Sequence, residues 1–130
     1  MIMSRIKNLG VDQYLHENMT WQRTLDFYLQ ENAFLKTRLS HVLDNDTDKD
    51  FIAKAEYFQN GFIHNDECMK DLQTDIALSQ RMIKEIMDGR SQDENKVFQK
   101  HKKLRNEVGY FEKNFASLRN EFNQYLASLL

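Results

Sequence analysis

Four aspartates alternate through the stretch Asp44, Asn45, Asp46, Thr47, Asp48, Lys49, Asp50, a spacing that offers carboxylates to a hard cation. His64 and Cys68 stand four residues apart, so on a helix they share one face, and an imidazole with a thiolate suits a soft metal. His101 lies in the run His-Lys-Lys-Leu-Arg. Around it Lys96, Lys100, Lys102, Lys103 and Arg105 form a patch with no acid between Asn95 and Asn106, the kind of charge that contacts phosphate. There is no glycine-rich phosphate loop, no serine or cysteine set beside a base, and no cluster of carboxylates at core positions, so the sequence is not expected to be an enzyme.

Each of these groups has a plainer role. The aspartate stretch resembles an EF-hand calcium loop over Asp44, Asp46, Asp48 and Asp50, and the resemblance implies cation binding. The chain departs from that pattern where Lys49 stands at the glycine of the sharp turn and Ala55 at the closing glutamate, with Glu56 one residue late. An acidic turn that caps a helix is the expected role, and weak cation binding is the alternative. For His64 and Cys68, a closed metal site needs three or four ligands. The residues three before each histidine are Gln13, Arg38, Gly61 and Phe98, so no carboxylate-x-x-His pair of the di-iron bundle type is present. His101 resembles the phosphoacceptor histidine of two-component helical hairpins, but it falls at an inward position where a core histidine is expected. The cationic patch sits in a chain of formal charge -2 and reads as a solvated face, with no nucleic-acid partner expected.

The element around which these groups are organised is a helix from 48 to 87. Phe51, Ala55, Phe58, Phe62, Asn65, Met69, Leu72, Ile76, Ser79, Ile83 and Ile86 alternate four and three apart, a seam held over several heptads. Such a helix is about 58 Å long at 1.5 Å per residue, and it needs long partners to bury its stripe. The same spacing runs through 11–43, with Val11, Tyr14, Asn18, Trp21, Leu25 and Tyr28 leading, and through 92–130, from Val97 and His101 to Tyr125 and Leu129. Residues 1–10 are weakly patterned and expected to be loosely ordered. Thr47 or Asp48 is the expected cap of the second helix, Gly89 its stop, and Ser91 with Glu94 a capping box for the third. The absence of proline and the presence of only four glycines agree with a chain that is almost wholly helical. Gly61 and Gly109 fall inside helices, as tolerated residues or points of close helix approach.

The expected fold is all-α: a single domain over 1–130, an elongated antiparallel three-helix bundle or coiled coil running up-down-up. In length, helix count and the early Trp21 it resembles a spectrin-type repeat. With turns centred on residue 46 and between 89 and 90, facing positions should total about 92 and about 179. That register makes Tyr14, Ser79 and His101 a buried polar layer and sets Asn65 near Tyr28 and Phe115. Off the seam, Phe27 and Phe34 share one heptad position, and Tyr57 and Leu78 hold the corresponding outward-leaning position of the second helix. These four are the interface candidates, for a protein partner or a second copy. The function expected is therefore non-enzymatic, by protein-protein interaction or self-association, the alternative being a small cation- or metal-binding bundle. No cofactor, leader or membrane span is expected, which makes the cytoplasm the default location.

Overall fold

The computed structural model describes residues 2–44 and 48–129, with backbone alone for 2–9. It contains three helices, α1 (Ile2–Leu43), α2 (Lys49–Met87) and α3 (Glu94–Ser128), and no strand among the described residues. Helix α1 begins ahead of the expected Val11. Isoleucine, methionine, arginine, lysine and leucine, all of fair to good helix propensity, precede Gly10, whose own penalty of about 1 kcal/mol is too small to stop propagation.

The ends of α2 follow from local chemistry. Asp48 is the N-cap, its Oδ1 accepting the Asp50 N–H at 2.9 Å. At the other end Gly89 takes φ 75°, and the N–H groups of Gly89 and Arg90 close back on the carbonyls of Ile86 and Glu85 at 3.1 and 2.8 Å. This is the Schellman pattern, which needs a residue free to turn left-handed. The start of α3 departs from expectation. Ser91 N–H still donates to Glu85 O at 3.3 Å, so the chain is wrapping the end of α2 at that point, and Asp93 caps α3 by accepting the Lys96 N–H at 3.1 Å.

Helix α1 pairs antiparallel with α2, and α2 with α3. On the α2–α3 side Tyr57 lies level with Glu121 and Gly61 with Leu118, pairs that total 178 and 179. The α1–α2 side is set differently from the turn-centred expectation. Asn18 meets Ser79 and Asn32 meets Asn65, each pair totalling 97 rather than 92, a slip of more than one helical turn.

The three pairings are unequal. Helices α1 and α2 approach closely along their length, α2 and α3 less so, and α1 and α3 meet chiefly through long side chains. Tyr14, Trp21 and Tyr28, seven apart on α1, supply the bulk that fills the wider gap, with Tyr28 4.7 Å from the ring of Phe115. At the margins Glu17 pairs with Arg105 and Glu31 with Arg119. Phe58, Phe62 and Phe122 form one fully buried aromatic cluster, and the core continues through Leu25, Met69, Ile76 and Phe115. Burying a side chain of this size stabilises by about 1.5–3 kcal/mol, so the heptad seam is the main source of stability.

Candidate functional site

The most chemically unusual place in the interior surrounds His101. It is a buried residue at 1% exposure, and its ring stacks between Tyr14 at 4.2 Å and Trp21 at 4.8 Å. Among the described residues neither ring nitrogen has a hydrogen-bond partner, and Nε2 stands 3.5 Å from Glu17 Oε2. Glu17 is itself held by Arg105, whose Nη2 donates to Oε1 at 3.1 Å and Nε to Oε2 at 3.3 Å. Burial keeps the imidazole below its ordinary pKa, and Arg105 adds to this, while the Glu17 carboxylate pulls the other way. The structure thus brings Tyr14 against His101. Ser79 is bonded elsewhere, because its Oγ accepts from Asn18 Nδ2 at 3.3 Å, and Asn18 Oδ1 has no partner among the described residues.

A second polar cluster sits two heptads along the seam. Asn32, fully buried, donates from Nδ2 to the Phe62 carbonyl and to Asp66 Oδ1, both at 2.8 Å. Lys36 closes on the other oxygen of Asp66. Asn65 donates to Asn32 Oδ1 at 3.5 Å, so its partner is an amide of α1, and the expected neighbours Tyr28 and Phe115 pack on each other.

The metal and cation candidates come together only in part. Cys68 Sγ lies 3.5 Å from His64 Nε2, and burial, with Asp71 and Glu67 nearby, raises the thiol pKa. Among the described residues no three histidine, cysteine or carboxylate side chains converge as metal ligands. In the acidic turn Asp48 is engaged as a helix cap, Asp44 and Asp50 are exposed, and Asp46 lies outside the described residues.

The four outward apolar candidates are all exposed, Phe27 and Phe34 at 57% each, Tyr57 at 51% and Leu78 at 45%. They do not make one strip. Phe34 carries the guanidinium of Arg38 at 5.7 Å, and Arg38 reaches across to Asn123 of α3, so this face is the α1–α3 flank. Tyr57 instead donates to Glu121 of α3 at 2.8 Å, which also raises its own pKa. Tyr57 and Leu78 therefore belong to the α2–α3 flank. That flank holds a hollow of about 750 Å³ beside Tyr57 and Glu121, and two further ones along its length. One, of about 250 Å³, is lined by His64, Cys68, Asp71, Asp75, Glu107 and Tyr110. The other, of about 660 Å³, is lined by Leu78, Arg81, Met82, Lys96, Lys100 and Lys103, with Glu85 and Asp93 at its edge.

Sequence reasoning missed Glu17, Trp21 and Arg105 as the surroundings of His101, and it missed the Asn18–Ser79 and Asn32–Asp66 bonds. A signal for the register was present. Asn18 and Asn32 are fourteen apart on α1, and Asn65 and Ser79 are fourteen apart on α2, so matching the polar interruptions of the two seams aligns them.

No described helix is long and apolar enough to cross a membrane. Compared with known protein families, curated proteins and solved structures, the chain matches none. The class defined by its fold is a three-helix bundle with a buried histidine stack and two exposed apolar flanks.

Proposed function

We propose that this chain is a non-enzymatic association module, a three-helix coiled coil that works by presenting helix faces to another protein or to itself. The observation that carries this reading is the exposure of Phe27, Phe34, Tyr57 and Leu78, large apolar groups at one outward heptad position on long, rigid helices. Large apolar side chains recurring on an exposed face favour contact with another surface over contact with water. The heptad seam and the flanking Glu17–Arg105 and Glu31–Arg119 pairs are the features by which helices of this kind recognise one another. A cytoplasmic setting suits the free thiol of Cys68.

The test compares the wild type with the variant carrying Phe27→Ser, Phe34→Ser, Tyr57→Ser and Leu78→Ser. Light scattering should find a mass above 15.6 kDa for the wild type and 15.6 kDa for the variant, with helicity equal by circular dichroism. A variant that unfolds would show these residues to be part of the core and would sink the reading. So would equal mass for both proteins together with identical retention of proteins from the native cell.

A further inference from the structure

We propose that the α2–α3 flank is a self-complementary surface through which two copies of this chain pair antiparallel, with Leu78 beside the twofold axis. The inference rests on the association reading above and names the partner as a second copy. Charge on this flank is divided along its length. Asp71, Asp75 and Glu107 lie on one side of Leu78, and Arg81, Lys96 and Lys100 on the other. These three cations make no ion pair among the described residues, and Glu85 and Asp93 leave their hollow net positive. Residues of α2 and α3 lie level when their numbers total about 179, as Tyr57 with Glu121 and Gly61 with Leu118 do. By that rule Glu107 stands at the level of Asp71 and Asp75, while Lys100 stands at the level of Ser79. The acidic and basic centres are therefore about eight residues apart, or about 12 Å, with Leu78 near the midpoint.

A twofold axis lying in the plane of this flank and crossing it near Leu78 reverses the helix direction. It lays α2 on α2 and α3 on α3. Arg81 of each copy then falls between Asp71 and Asp75 of the other, and Lys96 falls opposite Glu107, with Lys100 between that pair and the axis. Leu78, 45% exposed, meets its own counterpart, and Tyr110, 70% exposed, comes over the aliphatic stem of Lys96. Lys103 is drawn back from the axis toward Glu107, 3.7 Å away. Parallel pairing across the same flank sets acid on acid and base on base. An acidic peptide would satisfy the basic half and leave the acidic half unmatched, so a second antiparallel copy is the occupant that neutralises both.

The experiment is light scattering and sedimentation on the full chain, over a range of protein and salt concentrations. The wild type should approach twice 15.6 kDa, and added salt should weaken the dimer. Asp71→Lys with Asp75→Lys, and separately Arg81→Glu, should each weaken self-association about tenfold or more, since each puts like charges opposite one another. All three positions lie outside the core, so helicity should be unchanged in both. An equal mixture of the two variants should dimerise again, because the new lysines face the new glutamate and Arg81 of the first faces Asp71 and Asp75 of the second. A monomeric wild type, or a mixture that stays monomeric, overturns the proposal. If the wild-type dimer ignores these changes but dissociates on Phe27→Ser with Phe34→Ser, the proposal fails while the association reading stands.

Discussion

The amide of Asn32 on α1 donates to the carboxylate of Asp66 on α2 at 2.8 Å, and with its second hydrogen bond it reaches the Phe62 carbonyl. A fully buried asparagine in an apolar seam is costly unless satisfied, and satisfied it permits only one alignment of the two helices. Asn32→Ala removes both bonds and leaves a void, so it should destabilise by about 2 kcal/mol in denaturant titration. Asp66→Asn should cost less, since an amide oxygen can still accept from Asn32.

The histidine stack predicts a pH dependence of known sign. An unfolded His101 titrates near 6.5, and burial holds the folded ring below that value, with Arg105 helping and Glu17 opposing. Below about 6.5 the unfolded chain therefore takes up a proton that the folded chain refuses, and stability falls as pH falls through this window, by at most about 1.4 kcal/mol per unit. His101→Phe keeps a ring between Tyr14 and Trp21 and removes both unbonded nitrogens. It should flatten that slope and raise stability at pH 7 by about 1 kcal/mol. Trp21, the single tryptophan, reports on the same event, since protonation of the stacked imidazole should quench its fluorescence in the wild type and not in the variant.

Two helical glycines should respond oppositely to alanine. At Gly109 nothing lies within 4 Å of an added Cβ, so Gly109→Ala should stabilise by about 1 kcal/mol through helix propensity. At Gly61 the new methyl meets Leu118 Cδ2 at 2.7 Å, so the leucine must move and the propensity gain is offset. Thermal melts of the two variants check this. An equal rise in both would remove Gly61 from any role in close packing.

The core was legible because heptad spacing is a direct projection of which side faces inward. Every residue of the α2 seam from Phe51 to Ile83 is buried, including the polar Asn65 and Ser79. Axial register was less legible, because a turn centre fixes it only to within one or two turns of helix, whereas Asn18 with Ser79 and Asn32 with Asn65 fix it by hydrogen bonds. The α3 cap moved from Ser91 to Asp93 because the Schellman turn holds the chain to α2 for two further residues. Glu17 was passed over as an ordinary surface charge and Arg105 was read only as part of the cationic patch, since their link to His101 exists only once α1 and α3 lie side by side. Phe27 and Phe34 were visible as off-seam aromatics, but that Arg38 ties their face to α3 follows from packing alone.

The unequal spacing of the helices also sets an order of disassembly. Helix α3 is fastened to α2 on one side and to α1 mainly by ring stacks and marginal ion pairs, while α1 and α2 grip each other along their length. The first excursion from the native state should therefore be the release of α3 beyond the turn at Gly89, leaving a closed α1–α2 hairpin. Amide hydrogen exchange should find α3 released ahead of the other two helices, and that departure would uncover His101, Trp21 and the phenylalanine cluster in a single step.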